Sequence, residues 1–302
     1  MQQRQMGKDG PQISCIGLGA WPIGGGMGPV EEAEAIATVR SAIDAGITFL
    51  DTAQAYRTSE DTLGKALSDG YRERSFLATK VSGRYSRRDI EEAMDNSLRA
   101  LGVEYVDLYQ IHNWNPQYPI AESMEAMLRL QEAGKTRYIG VSNYNAVQMQ
   151  EALQTGVFHS NQPRYSLFAR EIEAQDLPFS GQNGIGILAH SPLAKGLLTN
   201  KYRPDHVFPD ADERSGFPQF QGETFNRHIA IANRLGVLAA DKGLSLLQLA
   251  IAWILRREEV SCVLVGAKSE TQVLQYLGAV GAEFSGGELA EIDKILLGEA
   301  ND

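Results

Sequence analysis

Cysteine is almost missing: Cys15 and Cys262 are the only two in 302 residues, too few for a disulfide framework or an unaided zinc site, and no metal is expected. No run of 18 uncharged apolar residues occurs, so no segment reads as a membrane span. The opening stretch MQQRQMGKDG lacks the apolar core of a signal peptide, and the expectation is a cytoplasmic protein. Positive charge is short as well. The 28 Lys and Arg face 38 Asp and Glu, a formal charge of −10, which argues against nucleic acid and anionic membranes as partners. The G-x-G-x-x-G fingerprint is absent too. Gly17-Leu18-Gly19 runs on into Ala20-Trp21-Pro22, and the glycines at 24, 25, 26 and 28 end in Pro29. An ordinary Rossmann domain is therefore excluded.

What is present is an even alternation of short apolar runs and helical patterns. After a hairpin (Arg4 to Met6, a turn at Lys8-Asp9-Gly10, then Ile13 to Ile16), eight strands are expected at 16–19, 47–51, 76–80, 106–112, 138–142, 158–162, 185–191 and 262–266. Between them, Ile36, Val39 and Ile43 share a helix face that stops at Gly46, and Ile90, Met94, Leu98 and Leu101 repeat the device before Gly102. Further helices are expected at 225–242, 245–257, 269–280 and 287–297. Strict alternation implies parallel strands with right-handed crossovers, and eight units favour closure. The fold class is α/β: a (β/α)8 TIM barrel with an N-terminal β-hairpin and extra helices, spanning 1–302 as one domain. The stretch Lys201 to Thr224, rich in Pro, Asp and Gly, breaks the periodicity and reads as either a disordered segment or, the favoured reading, a lid on the ligand face.

Most strands finish in polar residues: Asp51, Lys80, His112, Ser142-Asn143, Gln162 and His190-Ser191. Each alone has an ordinary structural role. Together they meet on the C-terminal rim, where barrel active sites are built. An acid, a lysine and a histidine end three successive strands, and Tyr56 follows the first. A tyrosine that exchanges protons near neutral pH needs its pKa of about 10 lowered by two or three units, about 3 to 4 kcal/mol. One ammonium about 4 Å away supplies about 4 kcal/mol at an effective dielectric near 20. Asp51 would orient Lys80, and His112 would donate to a substrate oxygen. Such a set protonates a carbonyl oxygen while hydride arrives at its carbon, and hydride requires a nicotinamide or flavin. Barrels hold phosphates after their last strands, and here Gly266-Ala267-Lys268-Ser269 opens a helix with Ser269 and Gln272 at capping-box spacing.

These residues also carry a resemblance. DTAQAYRTSE (51–60), ATK (78–80), DLYQIH (107–112), GVSNY (140–144), NQPRYS (161–166), SPLAKGLLTNKY (191–202) and VGAKSETQ (265–272) follow in the order seen in the aldo-keto reductases, which the chain resembles over nearly its whole length. The resemblance implies NADPH-dependent reduction of small aldehydes or ketones, with Asp51, Tyr56, Lys80 and His112 as the catalytic tetrad. It further implies that Ser142, Asn143 and Gln162 hold the nicotinamide carboxamide and that Tyr165 stacks on the ring. Ala20, Trp21 and His190 would border the cofactor. Ser191, Pro192, Leu193, Lys195, Gly196 and Lys201 match the pyrophosphate-binding segment. Gly266, Lys268, Ser269, Gln272 and Gln275 match the adenosine 2′-phosphate and adenine contacts. Trp21, Tyr56, Arg57, His112 and Trp114 would line the substrate pocket. Three departures stand out: Arg57 replaces a usual glycine and suggests an anionic substrate, His190 replaces a Tyr or Phe, and Tyr276 replaces a frequent Asn. The alternative is an NADPH-binding regulatory subunit with slow turnover.

Overall fold

The computed structural model describes residues 1–209 and 212–298. Asp210 and Ala211 of the aperiodic stretch, and 299–302 of the 1–302 span, lie outside the described residues. Strands β1 (Gln3–Gln5) and β2 (Gln12–Ser14) form an antiparallel hairpin. Eight parallel strands then close a barrel: β3 (Ile16–Gly19), β4 (Phe49–Asp51), β5 (Phe76–Val81), β6 (Val106–Ile111), β7 (Thr136–Ser142), β8 (Ser160–Gln162), β9 (Gly186–Ala189) and β10 (Val260–Val265), with β10 beside β3. The expected fold class is what the structure has.

The strands are rich in β-branched and aliphatic residues, and their side chains divide by parity into two cores. Phe49, Ala78, Leu108, Leu188, Cys262 and Leu264 fill the barrel, and Met6 and Ile13 of the hairpin join them. Ser261 Oγ donates to Gln5 O at 2.8 Å, so the hairpin lies across the start of β10. The opposite face of each strand packs on the helices. These are α1 (Glu32–Asp44), α2 (Ser59–Ala66), α3 (Arg87–Leu101), α4 (Ile120–Glu132), α5 (Ala146–Thr155), α6 (Asp176–Asn183), α7 (Gly222–Asp241), α8 (Leu246–Leu255), α9 (Glu270–Tyr276) and α10 (Gly286–Leu297). Helix α3 shows the local logic: Ser86 accepts the Asp89 amide at its start, Ile90, Met94 and Leu101 are buried, and Gly102 closes it at φ 65°, where a Cβ would be strained.

Strands β4, β6, β8 and β9 are shorter than the apolar runs suggest. β9 stops at Ala189 because Ser191 turns left-handed (φ 57°) and Pro192 has no amide to give the ladder. The described residues of the aperiodic stretch are folded: Tyr202, Phe208 and Phe220 cluster with Leu197, Phe225 and Ile229, and two 3-10 turns, Glu213–Gly216 and Pro218–Phe220, lead into α7. No single helix among the described residues is long and apolar enough to cross a membrane.

Candidate active site

Lys80 is completely buried near the end of β5, and its ammonium lies 2.6 Å from Asp51 Oδ2, 2.8 Å from Thr52 O and 3.5 Å from the Tyr56 hydroxyl. An ammonium has three protons, and three acceptors surround this one. Asp51, at the end of β4, accepts Gln162 Nε2 on its other oxygen at 2.7 Å. Burial alone would lower the Lys80 pKa, but Asp51 and Tyr56 together outweigh it and the shift is upward. Lys80 is therefore a fixed cation.

Tyr56 departs from the expectation that a nearby lysine lowers its pKa. Burial raises it, Lys80 pulls it down, Asp51 pushes it up, and the result lies above the ordinary value. The carboxylate 2.6 Å from the ammonium cancels much of the field that the phenol would feel. Tyr56 is thus a neutral phenol whose oxygen accepts from Lys80, leaving its own O–H to donate. Its ring is fixed edge-on by Trp21 (5.1 Å) and His112 (5.5 Å).

His112 follows β6, with Nδ1 2.8 Å from Ser82 Oγ. Burial first, then the charge of Lys80 and the neighbouring His190, holds its pKa down at about 3. The ring is neutral across the working pH range, and when Ser82 donates to Nδ1 the ring proton sits on Nε2. His190 is held down to about 3 as well, by burial, then Lys80, Arg164 and Lys195. Asn143 Nδ2 has two protons to share among three acceptors within reach, His112 O (3.2 Å), Asn113 Oδ1 (3.0 Å) and Ser142 Oγ (3.1 Å). Its Oδ1 therefore accepts from His190 Nε2 at 3.0 Å, which makes His190 the Nε2–H tautomer.

These groups line one end of a cavity of about 810 Å3. Asp51, Tyr56, His112, Ser142, Asn143, Gln162 and His190 border that end; Ser191, Pro192, Leu193, Lys195, Gly196 and Lys201 continue along it to Gly266, Lys268, Gln272 and Gln275. Amide and hydroxyl groups at one end and cations at the other suit a molecule with a carboxamide and several phosphates. The sequence reading missed Met27, Glu213 and Arg214, which also line the cavity. Glu213 accepts Lys195 Nζ at 2.7 Å and Trp21 Nε1 at 3.4 Å. Arg214, gripped by Asp212 and Tyr202 OH, is close enough to Lys201 and Lys268 to help lower both of their pKa values, second to burial.

The model of the Aldo/keto reductase family matches residues 15–297. The chain belongs to that family. It is 37% identical to aldo-keto reductase YhdN of Bacillus subtilis (strain 168) over all of this chain and 96% of that one. Among solved structures it resembles the glycerol dehydrogenase AKR11B4 from Gluconobacter oxydans (TM-score 0.89, 32% identity, 98% of this chain and 95% of that one). It also resembles the holo form of aldo-keto reductase AKR11C1 from Bacillus halodurans (TM-score 0.80, 28% identity, 98% and 96% covered). As an aldo/keto reductase, the chain is an oxidoreductase of small carbonyl compounds that uses a nicotinamide cofactor.

Several expectations drawn from that family need correction. Tyr165 cannot stack on a bound ring: it is fully buried outside the cavity, packed against Trp253 at 5.3 Å, and its hydroxyl donates to Glu173 Oε1 at 2.5 Å. His190, by contrast, is part of the cavity wall. Trp114 is 43% exposed and outside the cavity lining. Arg57 is outside it too, with Nη1 donating to Gly25 O at 2.9 Å, so nothing aims it at an anionic substrate. Its φ of 51° explains why glycine is usual there. Ala20 does not line the cavity; it ties the rim, with its amide on Asp51 O (2.8 Å) and its carbonyl taking Ser59 Oγ (3.2 Å). Ser269 caps α9 outside the lining, and Gln272 Oε1 reaches back to the Lys268 amide (2.8 Å), one residue before the expected capping-box partner. Lys80 also lies off the lining, beneath Asp51 and Tyr56. Tyr276 lines the cavity, its hydroxyl donating to Gly266 O at 2.7 Å.

Proposed function

We propose that this aldo/keto reductase is an NADPH-dependent carbonyl reductase in which Tyr56 gives the proton, a single barrel domain working in the cytoplasm on small aldehydes or ketones. The observation that carries the proposal is that Lys80 bridges Asp51 and Tyr56, two residues of the cavity wall, from beneath. When bound, the nicotinamide supplies hydride to the carbonyl carbon. Tyr56 O–H donates to the carbonyl oxygen, and Lys80 stabilises the phenolate that develops as the proton leaves. Neutral His112 donates a second hydrogen bond to that oxygen and orients the carbonyl. Ser142, Asn143 and Gln162 would hold the carboxamide, and the Asp51–Gln162 bond would keep that contact in register with Lys80. His190 is the ring that would border the nicotinamide.

At the other end Lys201, Lys268 and Arg214 would take the phosphates, with Lys268 meeting the 2′-phosphate that distinguishes NADPH from NADH. Helix α9 and Gln275 would border the adenine. A Schiff-base role for Lys80 is disfavoured, because a nucleophilic amine must be neutral and this one is held charged. The test is steady NADPH consumption with a panel of aldehydes and ketones. Multiple turnovers are expected; tight NADPH binding without turnover would replace the enzyme reading with a regulatory, cofactor-sensing one.

A further inference from the structure

A glycine-rich loop, 21–28, crosses from the end of β3 over the Tyr56 loop. It is packed there almost without clearance. A Cβ on Gly24 would lie 2.2 Å from Tyr56 O, and one on Gly26 would fall 2.0 Å from the Trp21 ring. Glycine at both positions lets the backbone press the Trp21 indole towards Tyr56, 5.1 Å between centroids. The loop's own bonds are short-range: the amides of Gly24, Gly25 and Gly26 return to Ala20, Pro22 and Trp21.

Long-range anchorage comes from Glu213, which accepts Trp21 Nε1 at 3.4 Å, and from two cations. Lys268 Nζ donates to Met27 O and to Gly28 O (3.2 Å), which pins the far end. Arg57 Nη1 donates to Gly25 O at 2.9 Å, which pins the end over Tyr56. Arg57 reaches there from a left-handed backbone, φ 51°, that an arginine adopts at a cost and a glycine would not. The side chain is spent on the loop carbonyl and does not line the cavity, whereas Trp21 and Met27, carried by that loop, do.

We propose that Arg57 is a positioning residue that sets substrate size by tethering the 21–28 loop to the Tyr56 loop, so that Trp21 narrows the entrance to the reacting centre. The proposal rests on the carbonyl-reductase reading above and adds to it the residue that selects among carbonyl compounds. Bulky carbonyls are excluded because the loop cannot lift; small aliphatic ones pass. The chain carries an arginine where glycine suits the backbone because only a long cationic side chain reaches Gly25 O.

The experiment compares wild type with Arg57→Gly, Arg57→Ala and Arg57→Lys. The glycine variant relieves the left-handed φ and is expected to fold. Two readouts are taken: amide hydrogen exchange across 22–28, and the ratio of kcat/KM for a bulky aromatic aldehyde to that for propanal with NADPH. In the glycine and alanine variants exchange quickens and the ratio rises, each about three-fold or more, the factor corresponding to loss of one hydrogen bond. The gain lies mainly in the KM of the bulky aldehyde, and Arg57→Lys, which keeps a charged donor, falls closer to wild type. Unchanged exchange, or a ratio that moves less than this while both substrates decline together, overturns the proposal. Wild type that reduces neither aldehyde would sink the carbonyl-reductase reading, while the exchange arm still decides whether Arg57 holds the loop.

Discussion

Replacing Lys80 by methionine separates its electrostatic role from its structural one. The ammonium is 3.5 Å from the Tyr56 oxygen, so at an effective dielectric near 20 it favours a phenolate by about 5 kcal/mol. The adjacent Asp51 carboxylate opposes that field, and a net loss of about 3 to 4 kcal/mol corresponds to a hundred- to thousand-fold drop in kcat. The same change leaves Asp51, 3% exposed, as a buried carboxylate without its cation, which destabilises the fold by about 3 kcal/mol or more. The double variant Lys80→Met, Asp51→Asn removes that uncompensated charge. Its unfolding midpoint should recover most of the loss, while kcat stays as low as in the single variant. Chemical denaturation and single-turnover NADPH oxidation on all three proteins read the two effects independently. A Lys80→Met enzyme within ten-fold of wild-type kcat, or a double variant that regains activity with stability, would refute the reasoning.

The neutral histidines make stability depend on acid. His112 and His190 have folded pKa values of about 3 against an ordinary 6.5, so below 6.5 the unfolded chain binds protons that the folded chain refuses. Their stabilisation is fully present above pH 6.5 and is lost as pH falls towards 3, up to about 2 kcal/mol each by pH 5; urea midpoints at pH 7.5 and 5 check it, and His112→Gln should flatten the slope. Lys268→Ala should cut the NADPH-over-NADH preference at least ten-fold, measured as the ratio of kcat/KM for the two cofactors. An unchanged ratio would remove Lys268 from the 2′-phosphate. Tyr165→Phe should leave NADPH affinity and turnover within two-fold but lower stability by about 1 to 3 kcal/mol, because Glu173 loses a buried donor; a selective loss of cofactor affinity would restore the stacking role.

The alternation of apolar runs and helix faces was enough to reach an eight-stranded barrel, because parallel strands buried on both sides leave that signature in one dimension. The polar strand ends were legible for the same reason: Asp51, Lys80, His112, Ser142 and Gln162 break apolar runs at a spacing near one βα unit. Other positions had no such mark. Tyr165 sits in the right motif but its side chain turns away into the Trp253 and Glu173 cluster, a fact of tertiary packing. Arg57 has the chemistry of a pocket cation, but its left-handed backbone and its bond to Gly25 O commit it to the neighbouring loop. Glu213 and Arg214 lie in an aperiodic stretch, and only the aromatic cluster that folds it brings them to the cavity. The sign of the Tyr56 shift depended on burial and on Asp51 lying as near to the ammonium as it does, neither of which spacing reveals.

The central claim is that Tyr56 is the proton donor in a carbonyl reduction. Tyr56→Phe keeps the ring between Trp21 and His112 and removes one oxygen. With NADPH bound and an aldehyde present, single-turnover oxidation should fall by at least a thousand-fold while NADPH affinity stays within two-fold of wild type. A variant that binds NADPH normally and reduces the aldehyde within ten-fold of the wild-type rate would contradict the account.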